Sequence, residues 1–460
     1  MHTTKINRRS AIKTFGLAAV AAAMPAVPVF PADISTGEKP NPEPPRQKPP
    51  RPVTAIVIGA GNRGWRAYAS YRIKFPDELR VVGVAEPIPY RRERISKAFN
   101  IPKENQFTTW EDVFKRPKFA DTLFITTPDD LHYAPAMAGL RAGYHLLLEK
   151  VIAQTWGECN DILKLAEKQK AIVAVCHVLR YAPYYRKMKE IIDSGKIGEI
   201  VSINHVEPVE HIHMSHSFVR GNWRNSKESN PMILSKSCHD TDMLRWIIDR
   251  PCERVASFGS LKFFRKENAP KGAPLRCTDG CPAENKCPYS AKRIYLEKRR
   301  WLAHFNIETV NNENILRELE TGPYGRCVFH CDNDVVDHQV AIFEFKDNIT
   351  VSFAMEGLTH SSGRRTHIFA TKGELYGDER TLTATQYLTG EKEIWDRAKA
   401  GSSSGHGGGD HGLIRDFVQA VGFNDPSRLT STIQVSMASH LMGFKAEESR
   451  KKGTVEKVNL

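Results

Sequence analysis

The sequence predicts an α/β protein of two domains, the first built on a parallel sheet and the second, an α+β domain, on a large, mostly antiparallel sheet. Two observations predict this class. Between residues 53 and 178, short apolar strands alternate with amphipathic helices, as the crossovers that join parallel strands require. From residue 179 onward, longer strands follow one another with few helices between them. A body of about 400 residues should also hold more than one hydrophobic core.

The first 52 residues carry signals for transport rather than for folding. Asn7-Arg8-Arg9-Ser10 precedes an apolar segment from Thr14 to Ala23, and small residues and prolines follow it. Residues 1–32 therefore resemble a twin-arginine export signal, with a disordered basic tail as the alternative. The apolar run is about ten residues long and a bilayer core is about 30 Å thick, so we expect no transmembrane anchor. Residues 33–52 are proline-rich and predict an extended linker.

These signals predict a periplasmic or otherwise exported protein that meets the twin-arginine (Tat) export machinery during targeting. The formal net charge is +13. The sequence has no lysine/arginine tract and no basic patch interleaved with aromatic residues, so we expect no nucleic-acid partner.

The first folded domain is expected over residues 53–178. Each of its apolar runs is followed by polar or helical sequence, which is typical of β-α-β units. The predicted strands span residues 53–58, 80–85, 121–126, 144–148 and 171–176.

A glycine-rich turn follows the first of these strands and opens a helix. In a Gly-x-Gly-x-x-Gly pattern the first glycine permits a tight turn, the second lets backbone N–H groups approach phosphates, and the third lets the helix pack closely on the strand. The N-terminus of the helix adds partial positive charge. The turn predicts a Rossmann dinucleotide-binding domain, and a glycine-rich loop without a ligand is the alternative. The predicted pyrophosphate-binding residues are Gly59, Gly61, Asn62, Arg63 and Gly64.

An acidic residue closes the second strand. Glu86 ends Leu79-Arg-Val-Val-Gly-Val-Ala-Glu, at the spacing typical of a carboxylate that binds the adenosine ribose hydroxyls. It would repel a 2′-phosphate, so we expect NAD as the cofactor. NADP is not excluded, because Arg91 and Arg92 follow closely and can accommodate a phosphate if they turn inward.

The second domain is expected over residues 179–460. A helix at 183–194 leads into the first strand, and the outer face of the sheet is expected to hold a homo-oligomer together. A flexible glycine- and serine-rich loop that contains His406, Asp410 and His411 precedes a helix at 412–422. The predicted strands are 200–207, 253–264, 338–346 and 349–356, with a helix at 239–248 between them.

Two runs in the first domain carry a family resemblance. They are Ile125-Thr-Thr-Pro-Asp-Asp-Leu-His132 and Tyr144-His-Leu-Leu-Leu-Glu-Lys150, and Leu179-Arg-Tyr-Ala-Pro183 continues the pattern. The chain is similar to the Gfo/Idh/MocA family of glucose–fructose oxidoreductase, inositol dehydrogenase and their relatives. The resemblance implies an enzyme that binds a nicotinamide cofactor and acts on a carbohydrate or glycoside.

The resemblance also assigns roles to residues of these runs. It implies that Lys150 is the catalytic lysine, although Val151 stands where the family has a proline. A surface lysine in a salt bridge is the alternative. A lysine at the carboxyl end of a strand, beside the nicotinamide and partly dehydrated, can exchange a proton with a substrate hydroxyl. The residues implied on the cofactor side are Thr127, Pro128, His132, Glu149 and Lys150, and those implied on the substrate side are Arg180 and Tyr181.

A second catalytic motif of the family places an aspartate four residues before a histidine on one helix. In this chain His239 matches the histidine, but Ser235 stands in place of the aspartate. Residues four apart share a helix face, so both side chains should project together, yet a serine cannot act as a carboxylate base. Lys236 and Asp240 are expected to contact the substrate and to reorganise the proton relay around His239. The alternative role of His239 is a packed histidine at the start of a helix.

A histidine-rich run, His211-Ile-His213-Met-Ser-His216, is followed by Arg220, Trp223 and Arg224. Histidines two residues apart on a strand point to one face, where they can bind sugar hydroxyls or a metal ion. The aromatic ring and the charged side chains suit the faces and edges of a sugar ring, so His213, Arg220 and Trp223 are predicted substrate contacts. A solvated loop is the alternative.

Cysteines are concentrated in one part of the second domain. Of the nine in the chain, Cys277, Cys281 and Cys287 lie close together, and Cys327 and Cys331 follow. Disulfide bonds, a structural zinc site and free thiols are all compatible with this spacing. The cysteines are expected to hold the irregular segment 265–300 in place.

Three functions are compatible with these observations. The first is an NAD(P)-dependent oxidoreductase that transfers a hydride between a ring carbon of a sugar or glycoside and nicotinamide. The second is an NAD-dependent glycoside hydrolase, which oxidises its substrate transiently at C3, eliminates the aglycone and adds water. Export of a folded protein would let either enzyme keep a tightly bound nucleotide. The third is a ligand-binding protein without catalysis.

Overall fold

The computed structural model describes residues 47–399 and 405–459. The predicted signal sequence and most of the predicted linker lie outside these residues. Among the described helices, none combines the length and the apolar character needed to cross a membrane.

The first domain contains a parallel sheet of six strands in the order β3-β2-β1-β4-β5-β6. This order is that of a doubly wound dinucleotide-binding fold, so the predicted class is confirmed. The five predicted strands are present, and the two-residue β3 was not predicted. The strands are β1 (Val53–Ile58), β2 (Leu79–Ala85), β3 (Gln106–Phe107), β4 (Thr122–Ile125), β5 (His145–Leu148) and β6 (Val173–Val175).

Helices cover both faces of this sheet. The helix after the glycine-rich turn is a π-helical segment, Asn62–Ala69. The last of the domain's helices begins with a capping box, in which Thr155 and Glu158 satisfy each other's backbone N–H groups. The α-helices are α1 (Tyr71–Lys74), α2 (Pro89–Phe99), α3 (Tyr133–Arg141) and α4 (Trp156–Lys168).

The second domain contains a nine-stranded sheet in the order β14-β13-β12-β11-β7-β10-β9-β8-β15. All of its neighbouring strands are antiparallel except β7 and β10, which confirms the mostly antiparallel sheet. The strands are β7 (Ile200–Pro208), β8 (Cys252–Ser260), β9 (His338–Phe345), β10 (Ile349–Glu356), β11 (Arg365–Ala370), β12 (Gly373–Gly377), β13 (Thr381–Gln386), β14 (Lys392–Asp396) and β15 (Glu456–Lys457).

Helices pack on the inner face of this sheet and also return to the first domain. The helices are α5 (Pro183–Asp193), α6 (His211–His213), α7 (Met232–Ser235), α8 (Cys238–Ile248), α9 (Asn312–Thr321), α10 (Gly409–Phe423) and α11 (Ile433–Lys452), with π-helical segments Met214–Arg220 and Lys292–Glu297. Leu413 and Phe417 of α10 lie in one core with strand β1, and Ile433 and Met437 of α11 lie in another with β5. The two domains therefore share hydrophobic cores.

Short 3₁₀ turns complete the chain. They are Lys103–Asn105, Glu111–Lys115, Asp129–Leu131, Val178–Tyr181, Lys266–Asn268, Glu284–Lys286, Leu302–His304, Pro323–Gly325, Lys346–Asn348, Gly405–Gly408 and Pro426–Arg428.

Two local predictions are wrong. The histidine-rich run is helical from His211 to Arg220 rather than a strand, so its histidines do not share a strand face. Ser235 ends α7 and His239 belongs to α8, so these two residues do not lie four apart on one continuous helix.

Candidate active site

The glycine-rich turn is shaped by close contacts that only glycine allows. Gly59 has a φ of +89°, and a Cβ on it would lie 2.8 Å from the carbonyl oxygen of Thr126. A Cβ on Gly64 would lie 2.0 Å from the carbonyl oxygen of Gly59. Around Gly61, by contrast, the nearest atom to such a Cβ is Nη1 of Arg91, 3.9 Å away. The turn is thus tightly packed at Gly59 and Gly64 and open at Gly61, next to the N-terminus of the following helix. This shape fits a dinucleotide pyrophosphate.

Glu86 lies beside this turn at the end of β2. Its carboxylate accepts hydrogen bonds from the backbone N–H groups of Ala60, at 2.6 Å, and Ile88, at 3.0 Å. Each oxygen keeps a free lone pair that can accept a ribose hydroxyl. Arg92 bonds the carbonyl oxygen of Glu86, and Arg91 lies near Gly61, so two guanidinium groups stand close to the predicted ribose position.

An ion-pair network joins the turn to the end of β5 and to α10. Arg63 donates to Glu149 at 2.5 Å and to both oxygens of Asp410, at 2.9 and 3.1 Å. The hydroxyl of Tyr68 donates to Glu149 at 2.7 Å. Burial raises the pKa of the Glu149 and Asp410 carboxyls, but the charge of Arg63 outweighs it and holds both pKa values below the ordinary range. Both groups are therefore ionised, and Arg63 bridges two domains.

The loop after β4 is held by a buried histidine. His132 lies 2.6 Å from the carbonyl oxygen of Val151 and 3.0 Å from that of Thr127. Thr127 also donates its hydroxyl to the carbonyl oxygen of Leu131, and Pro128 between them is exposed. His132 thus sets the loop against the segment that follows Lys150.

Lys150 stands at the end of β5 and faces the second domain. Its ammonium group donates to the carbonyl oxygen of Ser235 and lies 5.5 Å from the centre of the Trp223 ring. Trp223 is held by its indole N–H, which donates to Asp129 at 3.1 Å. The Lys150–Val151 peptide bond is cis. Lys150 is half-buried, and an ammonium with three donors keeps N–H groups for a substrate.

His239, at the start of α8, lies within electrostatic range of Lys150. Burial first, and then the charge of Lys150, hold the pKa of His239 well below its ordinary value of 6.5. Its Nδ1 is buried without a hydrogen-bond partner among the described residues. The ring lies 5.8 Å from that of His406 and 6.3 Å from that of His177, centre to centre. A neutral imidazole in this position can accept a proton.

The structure brings some predicted substrate residues into the site and buries others. His213, Trp223 and Lys236 are half-exposed, and Trp223 lies beside Lys150. Lys236 pairs with Glu207 at 3.1 Å, and the His213 ring stacks on that of Trp301, with 4.6 Å between centres.

Arg180 and Tyr181 lie in the interior and have no surface to offer a substrate. Arg180 donates to both oxygens of Asp242, at 2.6 and 2.8 Å. The Tyr181 hydroxyl lies 2.8 Å from that of Ser431. Both residues are 2% exposed, and their bonds join the start of the second domain to α8 and to the segment before α11.

Arg220 and Asp240 are also fully buried. Asp240 accepts from Arg364 at 2.6 Å and lies 2.9 Å from His205. Burial raises the pKa of Asp240, but the charge of Arg364 outweighs it and lowers the pKa below the ordinary range. The expected substrate contacts of these two residues are therefore corrected. Asp240, in the first turn of α8, holds Arg364 and His205 in the interior rather than taking part in a proton relay.

Some residues of the site were not predicted. Trp301 and Arg364 come from segments far along the chain from Lys150, and their sequence surroundings carry no recognisable motif. Asp410 was indicated by its place in the glycine-rich loop with His406. The side chains of these two residues lie 3.0 Å apart. Its partner Arg63 is distant in sequence, so the pairing was not predictable.

The predicted cysteine group lies outside this site. All nine cysteines are free in the described residues, and no group of three or more His, Cys, Asp or Glu side chains there is already arranged around a metal position. Cys277, Cys281 and Cys287 nevertheless line one pocket together with Cys327.

The described structure is that of a protein with a dinucleotide-binding fold, in which Lys150 of the first domain contacts the second domain. The sequence matches a profile described as an oxidoreductase family with an NAD-binding Rossmann fold over residues 53–177, and one described as the GFO/IDH/MocA C-terminal domain over residues 185–376. Together the matches cover more than half of the chain. The chain belongs to the Gfo/Idh/MocA family of oxidoreductases.

Individual relatives are distant. YteT of Bacillus subtilis, named as an oxidoreductase, is 24% identical in an alignment 373 residues long that covers 75% of this chain and 83% of that protein. The 2,7-anhydro-N-acetylneuraminate hydratase of Escherichia coli is 24% identical over 44% of this chain and 51% of its own length. A levoglucosan dehydrogenase solved with NADH and levoglucosan has the same fold, with a TM-score of 0.65 and 18% identity over 89% of this chain and all of that one.

Proposed function

We propose that this protein oxidises or reduces a ring carbon of a sugar or glycoside with NAD, and that Lys150 and His239 handle the proton of the reacting hydroxyl. The observation that carries the proposal is the position of Lys150 at the end of β5. It follows Glu149, which binds Arg63 of the glycine-rich turn, and its ammonium group donates to Ser235 of the second domain, with His239 within range of its charge. When bound, the nicotinamide supplies the acceptor or donor of hydride. The family's NAD-binding domain and its sugar- and polyol-directed relatives support this function.

Lys150 is suited to orient the hydroxyl. One of its N–H groups is used by the Ser235 carbonyl, which fixes the direction of the side chain, and the others remain for a substrate oxygen. An ammonium that donates to this oxygen stabilises negative charge as the O–H bond breaks.

His239 is suited to accept the proton. Because its pKa is low, the imidazole is neutral near pH 7 and has a free nitrogen lone pair. Ser235 cannot take this role, since its hydroxyl points back to the carbonyl oxygen of Pro231 at 3.3 Å.

The walls of the site favour a sugar over a small acid. The rings of Trp223 and Trp301 offer flat apolar surfaces for the C–H face of a pyranose, and His213 and Lys236 offer donors for its hydroxyls. A levoglucosan dehydrogenase and inositol dehydrogenases among the relatives act on compounds of this kind by their names.

NAD is proposed over NADP because the Glu86 carboxylate lies beside the glycine-rich turn, where a ribose is expected, and we propose that the nucleotide is tightly held. The network of Arg63, Glu149 and Asp410 closes the floor of the cofactor site from both domains. Heat denaturation of the purified protein followed by analysis of the released nucleotide tests both points, since NADP or an empty protein would contradict them.

A second candidate function is redox-assisted hydrolysis of a glycoside. It is favoured by Ser235, which leaves the site without the carboxylate of the usual relay, and by a relative named as a hydratase, since hydration involves no net redox change. In this reaction the substrate is oxidised at C3, loses the C2 proton and the aglycone, gains water and regains its hydride, so the cofactor is unchanged overall. His239 or Lys150 would remove the C2 proton.

One experiment separates the two candidates. The protein is incubated with a panel of aryl glycosides and free sugars in deuterated buffer without added NAD, and products are followed by proton NMR. Free sugar with deuterium at C2 and no net cofactor reduction supports hydrolysis. A ketosugar that keeps its aglycone and forms stoichiometrically, or only with an added hydride acceptor, supports the oxidoreductase. No product with any glycoside or free sugar favours a binding protein instead.

We also propose that the protein is exported, as Arg8 and Arg9 before the apolar segment indicate. Expression of the full chain with a C-terminal tag should place it in the periplasmic fraction. Replacing both residues with lysine should retain it in the cytoplasm, and unchanged fractionation would contradict a twin-arginine route.

A further inference from the structure

The long excursion between β8 and β9 contains a group of thiols around a buried cation. Its pocket is lined by Arg220 and by Cys277, Cys281, Cys287 and Cys327, and we call this group the cysteine pocket. The cavity has a volume of about 20 Å³, which is room for a single ion or water molecule and not for a sugar or an iron–sulfur cluster.

Arg220 has no negatively charged partner in the described part of the chain. It is 0% exposed, and it donates to the carbonyl oxygens of Arg326 and Tyr289, both at 2.7 Å, and to the sulfur of Cys277 at 3.7 Å. Its Nη1 is buried without a partner. A buried guanidinium is stable only when opposite charge is close. The pocket that Arg220 faces is also lined by Glu284, but this carboxylate is paired with Lys292 at 2.9 Å, which leaves the thiols as the groups that can supply the charge.

Backbone hydrogen bonds bring the cysteines together from two parts of the chain. The N–H of Cys277 donates to Gly325 and the N–H of Cys327 donates to Leu275, both at 2.9 Å, around an antiparallel bridge. Cys277 and Cys327 are therefore diagonal neighbours on one face. Such residues lie about 7–8 Å apart at Cα, which is beyond the usual span of a disulfide but suits two ligands of one metal ion.

The other two thiols are joined by a single short turn. Glu284 N–H donates to the carbonyl oxygen of Cys281 at 3.2 Å, and Cys287 N–H donates to that of Ala283 at 2.9 Å. This turn presents a second pair of sulfur atoms to the same cavity.

We propose that the cysteine pocket binds one zinc ion through its four sulfur atoms. Zn²⁺ replaces the four thiol protons, and the resulting tetrathiolate centre carries the net negative charge that Arg220 lacks. In the structure the four sulfur atoms are not arranged around a common metal position. Zinc binding therefore requires the cysteine side chains to rotate toward the cavity. The ion pins the excursion that carries Trp301 to its place against His213 in the active site. The assignment is independent of the proposed function.

Metal content of the full-length protein tests this assignment. After purification without chelators and incubation with zinc chloride, followed by removal of excess metal, mass spectrometry of the elements should find about one zinc per chain. Cys281→Ser and Cys287→Ser should each lower zinc at least about fivefold, since three thiolates hold zinc more weakly than four. Cys331→Ser is the matched control, because Cys331 lies in the same excursion but does not line the pocket.

Retained zinc in the two pocket variants, or loss of zinc in the control, would overturn the ligand set. Should the variants fail to fold, the unaltered protein loaded with cobalt still decides the question: thiolate-to-cobalt charge-transfer absorption is expected, and its absence refutes tetrathiolate binding. Thiol titration in denaturant with a chelator and no reductant should find all nine cysteines. Seven or five titratable thiols in a protein without zinc would establish disulfide bonds instead. Iron together with acid-labile sulfide would establish an iron–sulfur centre.

Discussion

At the level of single residues, the site gives its clearest prediction for Lys150. The hydrogen bond to the Ser235 carbonyl orients the ammonium group of Lys150. Replacing Lys150 with alanine removes this group, which we propose donates to the substrate hydroxyl. We expect kcat to fall about 10²- to 10⁴-fold, the usual contribution of a positioned acid–base group, while the bound nucleotide remains. Turnover of the best substrate and the nucleotide content of the same sample provide the measurement.

Lys168→Ala is the matched control for this variant, because Lys168 is exposed on α4 far from the ammonium of Lys150. It should leave kcat unchanged. An active Lys150→Ala protein with full nucleotide content would show that the lysine has no part in proton transfer.

The low pKa of His239 gives a prediction for pH dependence. A base is lost when it is protonated, which happens below its pKa, and burial and Lys150 hold the pKa of His239 well below 6.5. We therefore expect kcat/KM for oxidation to remain level as the pH falls through 6.5 and to decline only at more acidic pH. A fall in kcat/KM centred at pH 6.5 that disappears in His239→Gln would contradict the low pKa of His239.

The residues that the sequence indicated best are those whose role depends on the local chain. The glycines of the turn, Glu86 and Lys150 follow directly from where a strand ends and a helix begins. Arg180 and Asp240 could not be placed in this way, because their partners Asp242 and Arg364 are 62 and 124 residues away along the chain. Only the folded chain shows that these charges neutralise one another in the interior.

At the level of secondary-structure elements, α10 contacts the first domain through an ion pair in its first turn. Asp410 in its first turn holds both N–H groups of Arg63, and its side chain is 10% exposed. Asp410→Asn removes the charge and leaves Arg63 with Glu149 alone. We expect the free energy of unfolding to fall by about 3 kcal/mol, the lower end of the range for a broken buried pair, because Arg63 is 26% exposed. Urea denaturation provides the measurement.

Asp416→Asn is the control on the same helix. Its partner Arg186 is 42% exposed, so the loss should be below about 1 kcal/mol. The difference between the two variants should also depend on pH. Because the folded-state pKa of Asp410 is lowered, its contribution is present above about pH 4 and is lost as the pH falls toward the folded-state pKa. Equal losses in both variants at neutral pH would contradict the role of the network.

The elements that were predicted well are those with a clear period. Strands β1, β2, β9 and β10 follow from apolar runs and alternation, and their predicted bounds differ from the observed ones by at most one residue. The run from His211 to Arg220 was misjudged because alternation over three residues is too short to distinguish a strand from a helix. Its tertiary packing against Tyr295 and Trp301 decides the helical form.

For the whole molecule, the outer face of the nine-stranded sheet leads to a prediction about assembly. Phe258 of β8 and Val340 of β9 are directly opposed across the two strands, and Ile342 follows on the same face. They are 65%, 44% and 51% exposed. Contiguous apolar side chains on an otherwise polar surface mark a protein contact.

We expect the purified protein to be a homo-oligomer that buries this face, since each square ångström of apolar surface removed from water contributes about 25 cal/mol. Light scattering coupled to size-exclusion chromatography should give a mass of at least two chains. Ile342→Glu should shift the protein to single chains, because the carboxylate would be buried unpaired. Ile73→Glu, at an apolar position 63% exposed on α1 of the first domain, should not change the mass. A monomeric unaltered protein, or dissociation by both variants alike, would show that the sheet face does not hold the assembly together.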